Sequence, residues 1–240
     1  MKRLDVLLFE QKLFPTREKA HEAVLEGIIY CKQKQCTKPG KKFNENTKFE
    51  ILGEKLKYVS RAGLKLEKAS HEWNISFKNK IVLDVGASTG GFTDFALQNN
   101  AKKVYAVDVG TNQLHEKLKN NPKIINMEKC DFRTLPPLPD KIDIAVCDCS
   151  FISLKLLLPK FVEILPKTSE LVVLIKPQFE CGKQIAQKTH GVIKDEELQE
   201  NIKNDIISTF LNSGFTLIGS CVSPILGTAG NKEFLAYFKK

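Results

Sequence analysis

Lys65, Asp148, Lys176 and Glu233 are far apart in the sequence, yet three of them stand where an apolar run stops or starts. Asp148 follows IDIAVC, Lys176 follows ELVVLI, and Glu233 precedes FLAYF. Residues at the ends of neighbouring strands converge, so two amines and two carboxylates could share one site. Such a set suits removal of a proton from a poor nucleophile. A lysine can take that proton only if its pKa is lowered. Nearby positive charge and burial favour this, and a carboxylate opposes it. In this arrangement Lys176 is the base, Lys65 supplies the positive charge, Asp148 orients the amine, and Glu233 holds Lys65 or the substrate. Each residue also has a plainer reading alone. Lys-Pro often just ends a strand, and an aspartate there often caps a helix.

A second motif is IVLDVGASTGGF, residues 81–92. It lacks the G-x-G-x-x-G spacing of a dinucleotide loop and the Gly-Lys-Ser/Thr of a triphosphate loop. Gly90 and Gly91 open a helix, and their missing side chains let a ligand approach the backbone. Asp108 ends the next apolar run, where a carboxylate suits a ribose diol. Asp131, at the end of the run KIINMEKCDF, is placed to meet an adenine edge.

These residues need a frame. IVLDVG, KVYAVDVG, KIINMEKCDF, IDIAVCDCS and ELVVLIKP are short apolar runs separated by helix-length segments. Such runs predict strands of a parallel sheet covered on both faces. NIKNDIISTFLNSG predicts a helix stopped at Gly214. TLIGSCVSPI and EFLAYFKK follow without a helix between them, so the sheet should end in an antiparallel pair.

Ahead of this lies a different unit. RLDVLLFEQ and TREKAHEAVLEG carry helical spacing, with Thr16 as N-cap and Gly27 as stop. GIIYCK and KFEIL read as strands around an exposed loop. Arg61, Lys65 and Lys68 recur at helical spacing in the connecting segment, which predicts a shared face. The expected division is 1–57, a small α/β domain; 58–80, a linker and helix; and 81–240, the large α/β domain.

Of the net charge of +9, residues 1–80 carry +8, from 18 Lys and Arg against 10 Asp and Glu. A basic N-terminal third suits a polyanion-binding module, and a solvated lysine-rich surface is the plainer alternative. No run of about 18 apolar residues predicts a membrane helix. Asp5 and Glu10 interrupt the N-terminal apolar stretch, so no signal peptide is expected. Seven cysteines, an odd number, read as free thiols of a cytoplasmic protein. His190-Gly191-Val192 reads as a mobile flap over the site. No partner ligands are evident for His190, and no metal is expected.

Several motifs resemble known families. Arg3-Leu4-Asp5, Arg17-Glu18-Lys19-Ala20, Gly27 and Lys38-Pro39 resemble the small RNA-binding domain named after ribosomal protein S-four. The resemblance implies phosphate contacts by Arg3, Arg17, Lys19 and Lys38, with Lys41, Arg61 and Lys68 as further RNA-facing candidates. The glycine loop with its later acids resembles class I (Rossmann-like) S-adenosylmethionine (SAM) methyltransferases. That implies a cofactor site of Asp84, Gly86, Ser88, Gly90, Gly91, Phe92, Asp108, Asp131 and Asp148. Lys65, Asp148, Lys176 and Glu233 resemble the Lys-Asp-Lys-Glu tetrad of FtsJ/RrmJ-like RNA ribose 2′-O-methyltransferases. SRAGLKL, LDVGASTGGFTD, CDCSFISL, LIKPQFE and SPILGTAGNKEFL together resemble the TlyA (haemolysin A-like) family.

The fold so implied is a mostly parallel seven-stranded sheet preceded by a small α/β RNA-binding domain. The activity implied is methylation of a cytidine ribose in ribosomal RNA. The chain ends two residues after LAYF and begins two before RLD. In this it resembles the short members, for which the large-subunit (23S) RNA is the implied target. A ribosomal subunit is the implied partner, with no membrane partner and a monomer favoured. Leu56-Lys57-Tyr58-Val59 departs from the Arg-x-Trp-Val linker of some longer relatives. Three other readings compete: a membrane-active haemolysin, a base methyltransferase, and a non-catalytic RNA-binding assembly factor. Asp148-Cys-Ser-Phe in place of Asn/Asp-Pro-Pro-aromatic favours ribose over base.

Overall fold

The computed structural model describes residues 1–25, 27–51, 57–227 and 230–240. The chain divides into two compact units, Met1–Arg61 and Ala62–Lys240. The helix that carries Lys65 thus belongs to the second unit.

In the first unit, β1 (Lys2–Arg3) leads into α1 (Leu4–Glu10) and α2 (Arg17–Leu25). Then come β2 (Ile29–Cys31), β3 (Lys34–Gln35), β4 (Lys42–Phe43) and β5 (Glu50–Ile51). Strands β3, β2 and β5 form one antiparallel sheet, and β1 pairs with β4. Leu4, Leu7 and Leu8 of α1 meet Ala20, Ala23 and Val24 of α2 over Ile29 and Phe49. That is the i, i+3, i+4 spacing the sequence shows. Thr16 accepts from the N–H of Lys19 at 3.2 Å, and Gly27 leaves the helix at φ +75°. The N–H groups of Leu4 and Asp5 are satisfied by the carbonyls of Lys41 and Pro39. This brings the 38–41 loop against the start of α1.

The second unit opens with α3 (Ala62–Trp73). An alternating series follows: β6 (Ile81–Val85), α4 (Gly91–Gln98), β7 (Lys103–Val107), α5 (Glu116–Lys119) and β8 (Ile124–Met127). After a 3-10 turn at Phe132–Thr134 come β9 (Ile144–Cys147), α6 (Leu154–Ile164), β10 (Glu170–Ile175), α7 (Pro177–Glu180) and α8 (Gly182–Lys188). The last elements are α9 (Glu196–Asn212), β11 (Thr216–Val222) and β12 (Phe234–Lys239). The seven strands lie in the order β11-β12-β10-β9-β6-β7-β8, and only β12 runs against its neighbours. The expected antiparallel end is present.

Ile144 to Cys147 and Leu171 to Ile175 are buried without interruption. This is why these strands read as continuous apolar runs rather than alternating ones. Where α3 crosses the sheet, Trp73 stacks on Tyr237 with ring centroids 5.6 Å apart. A Cβ on Gly219 would stand 2.4 Å from the indole nitrogen of Trp73. Only glycine permits that approach, and the β11–β12 register shifts at this point. The strand order reverses at β6, which has β7 on one side and β9 on the other. A ligand crevice is expected beyond the carboxyl ends of those strands.

Two expectations need correction. KIINMEKCDF is not one strand. β8 stops at Met127, Lys129 turns the chain at φ +52°, and Asp131 caps the 3-10 turn. The N–H groups of Lys129 and Cys130 bond to the carbonyls of Gly110 and Asp108. Asp131 therefore still follows the extension of β7, although it does not end a strand. Nor do Arg61, Lys65 and Lys68 form one face. Arg61 precedes the helix, Lys65 is buried, and Lys68 pairs with Glu72 at 2.5 Å on the surface. Among the described residues, no helix is long and apolar enough to cross a membrane.

Candidate active site

The loop after β6 turns at two left-handed glycines, Gly86 (φ +82°) and Gly90 (φ +91°). A Cβ on Gly86 would lie 3.0 Å from Cys149 Sγ and 3.1 Å from the Asp148 carbonyl oxygen. The loop is thus tight against the end of β9. Gly91 begins α4, and Phe92 is buried in the core. Ser88 donates its N–H to Asp108 Oδ2 at 2.8 Å, and Gly110 donates to Oδ1 at 2.7 Å. Two backbone donors thereby fix the Asp108 carboxylate, and each oxygen keeps a lone pair for a hydroxyl. Asp131 is gripped by Arg133 at 2.5 Å and also accepts its N–H.

Asp84, on β6, is 1% exposed. Thr93 donates to its Oδ2 at 2.6 Å, and its Oδ1 is buried without a partner among the described residues. Burial, relieved in part by Thr93 and reinforced by Asp148 and Asp108, pushes its pKa up to about 7. A buried acceptor among three carboxylates calls for a cationic ligand. The folded value lies above the unfolded one, so the folded protein holds a proton that the unfolded chain has released. Stability therefore falls as pH rises from about 4 to about 7. A cation binding beside Asp84 would favour the ionised form.

The tetrad closes within the second unit. Lys65 Nζ lies 2.9 Å from Glu233 Oε2 and 3.3 Å from Asp148 Oδ2. Lys176 Nζ lies 2.6 Å from Asp148 Oδ1 and 2.9 Å from Ser150 Oγ. The four side chains are 3–13% exposed. Burial pulls the Lys65 pKa down, but Asp148 and Glu233 outweigh it and the net shift is upward. Lys65 is thus held as an ammonium.

The methyltransferase family model described as "FtsJ-like methyltransferase" matches residues 58–240. The chain belongs to the FtsJ-like methyltransferase family. The Bacillus subtilis protein YqxC, whose name marks it as a candidate rRNA methyltransferase, is 44% identical over 98% of this chain and 84% of its own length. The Campylobacter jejuni protein named 23S rRNA (cytidine-2′-O)-methyltransferase TlyA is 41% identical over 82% of this chain and 76% of its own length. A solved structure from Streptococcus thermophilus, named for a hemolysin, matches with TM-score 0.78 at 43% identity. It covers all of this chain and 88% of that one. YqxC shares the N-terminal unit as well, since its match spans both. The chain is therefore an FtsJ-like methyltransferase of the TlyA type, with a class I SAM-methyltransferase fold and SAM as its cofactor. The orphaned Asp84 oxygen and the Gly86 cradle fit that group. Asp84, Ser88 and Asp108 would hold its cationic and diol ends. In an FtsJ-like enzyme so arranged, SAM affinity rises about fivefold from pH 6 to pH 7, because a larger share of Asp84 is ionised. Calorimetry would show this for the unaltered enzyme and no such rise for Asp84→Asn. An equal rise in both would remove Asp84 from the binding step.

Several residues of this FtsJ-like site escaped the sequence reading. Ser150 meets the Lys176 amine. Gln178 donates to Glu233 Oε1 at 3.4 Å. Phe151 is 91% exposed at φ +64° and leans on Phe179 with ring centroids 5.0 Å apart. Ser153 and Leu154 donate to Glu180 at 2.5 and 2.9 Å, which pins this segment to α7. A bulky residue at positive φ is rare and signals a constraint. The signal in the sequence was only that these residues flank Asp148 and Lys176. His190 to Ile193 is tied down, with Asn231 donating to the Gly191 carbonyl and accepting from the Ile193 N–H. The structure thus anchors the stretch read as a mobile flap.

In the first unit two of the basic candidates, Arg3 and Arg17, meet on Asp5 of the Arg3-Leu4-Asp5 motif. Asp5 is 1% exposed and accepts from Arg3 (2.9 Å) and Arg17 (3.1 Å). Both guanidiniums remain about half exposed. Lys41 lies over the Phe43 ring at 5.2 Å, and Lys38 is exposed in the same loop. Lys19 is half-buried on α2, and Arg61 lies beside Gly27. Arg3, with Arg17 adding to it and burial opposing, holds the Asp5 carboxyl down at about 2. A depressed value means stability that is present above about pH 4 and lost as pH falls through about 2. We expect acid unfolding of the unaltered unit in that window to show a loss of about 1 kcal/mol, reduced by solvent screening of the guanidiniums, that is missing in Asp5→Asn. Identical acid limbs would contradict this role.

Proposed function

We propose that this enzyme transfers a methyl group from SAM to the 2′-hydroxyl of a cytidine in ribosomal RNA, with the large-subunit (23S) RNA as target. The observation that carries this reading is the closed tetrad on the FtsJ-like fold. The printed activity of the Campylobacter jejuni relative supports it. When bound, SAM supplies a methyl on a sulfonium. The rest falls to the chain. Lys176 takes the hydroxyl proton, and Asp148 and Ser150 aim its amine. Lys65 is the weaker choice for base, because two carboxylates hold it protonated. It balances the charge of Asp148 and Glu233 instead. Much of the rate would come from holding donor and acceptor in line.

The exposed Phe151 ring offers a stacking face to an unpaired base. In the first unit, Arg3, Arg17, Lys19, Lys38 and Lys41 would bind RNA phosphates, with Arg61 of the same unit and Lys68 of the second unit as additional contacts. The proposed partner is the large ribosomal subunit, met by a monomer in the cytoplasm. The test is label transfer from SAM to subunits of a strain lacking this gene. Recovery of labelled 2′-O-methylcytidine from 23S RNA is expected. Label in a base, or in neither subunit, would refute the reading. Leakage from liposomes at low protein concentration would favour the haemolysin alternative.

A further inference from the structure

We propose that Gln178 contacts the methyl acceptor, its Oε1 receiving a hydrogen bond from an N–H of the target base. The proposal rests on the ribosomal RNA reading above. Gln178 lies in α7, two residues past Lys176. Its Nε2 donates to Glu233 Oε1, and its Oε1 is buried with no partner among the described residues. The amide cannot be turned round, because that would set one acceptor against another. Glu233 cannot easily yield either. Lys65 holds its other oxygen, and a Cβ on Gly227 would stand 2.3 Å from its Oε1. The anchored carboxylate therefore aims the amide and leaves the carbonyl without a donor.

A buried carbonyl in that state calls for an explanation, and at an active site a ligand donor is a natural one. Two sources are available, cofactor and acceptor. Asp84, Ser88 and Asp108, the groups that would hold the cationic and diol ends of the cofactor, sit on β6, in the loop after it and at the end of β7. Gln178 follows β10 and faces Glu233 at the start of β12, and β9 stands between β10 and β6. With strands about 4.8 Å apart, that is about 10 Å from the cofactor side. The donor thus belongs to the acceptor. An internal RNA nucleotide has its 3′ oxygen esterified, and its single 2′-hydroxyl proton goes to Lys176, which leaves the N–H groups of the base.

The test compares the full-length enzyme with Gln178→Leu and Gln178→Met. Calorimetry with SAM, thermal melting, and methyl transfer to large subunits at varied subunit concentration are measured for each. We expect SAM affinity within about twofold and an unchanged melting temperature, with kcat/KM for subunits down about 10- to 100-fold. A structural role would instead lower melting temperature and SAM affinity together, and that result would overturn the proposal. So would unchanged transfer, or a loss confined to SAM affinity. If the unaltered enzyme labels the subunits and the variants match it, only this proposal fails. If the unaltered enzyme labels no RNA, the ribosomal reading fails and this proposal with it.

Discussion

Lys176→Ala binds SAM as the unaltered enzyme does and loses methyl transfer by about a thousandfold, within the range of general-base effects. The expectation follows from where Lys176 sits. Its amine touches Asp148 and Ser150, and the hydrogen bonds described for Asp84, Ser88 and Asp108 do not involve it. Asp148 keeps Lys65 on its other oxygen, so removing Lys176 does not strand a buried carboxylate. Single-turnover transfer with bound SAM reads the chemical step directly. Lys176→Arg sharpens the result. A guanidinium preserves the charge but stays protonated at any accessible pH, so it cannot accept a proton. If Lys176 acts as base, the arginine variant is as inactive as the alanine one. If it acts only as a fixed positive charge, the arginine variant recovers much of the rate. Substantial transfer by Lys176→Arg would sink the role of base.

The tetrad was partly legible because strand ends are. A fully covered strand reads as an unbroken apolar run, and the first polar residue beyond it marks the carboxyl edge. Asp148 and Lys176 were placed in this way. Glu233 was placed by the start of the last run. Asp131 was misplaced by the same logic, because a polar stretch after Met127 was read as continued strand. A left-handed turn at Lys129 ends the strand, and an isolated lysine gives no sign of that in sequence. Helical spacing put Lys65 on a face with Lys68, but periodicity says only that two residues are neighbours. It does not say which of them is swallowed by ion pairs with residues 83 and 168 positions away. Phe151 was missed for the opposite reason. An aromatic beside a buried strand is expected to be buried, and only the backbone twist at that residue turns it outward. Asp5 is legible as part of the Arg3-Leu4-Asp5 motif, but its pairing with Arg17, twelve positions away, is not.

Lys65→Met tests whether that charge balance matters. Glu233 is 3% exposed and Asp148 13%, and the ammonium between them is the common partner of both. Without it, Glu233 keeps only the 3.4 Å contact from Gln178 among its described hydrogen bonds. Breaking a buried pair by removing one member costs about 3–5 kcal/mol, because an uncompensated charge stays behind. For a unit of this size that corresponds to a melting temperature lower by about 6–20 °C at pH 7. Two further measurements identify the cause. Lowering the pH protonates the stranded carboxylate, so the deficit against the unaltered enzyme should shrink. Combining Lys65→Met with Glu233→Gln removes the charge by mutation, so stability should return in part while methyl transfer does not. A buried amine that merely filled space would show neither response. Its loss would appear at every pH and survive the second substitution. Melting within a degree of the unaltered enzyme would mean that solvent already reaches these carboxylates, and the arrangement of charges that singles out Lys176 as the base would lose its footing.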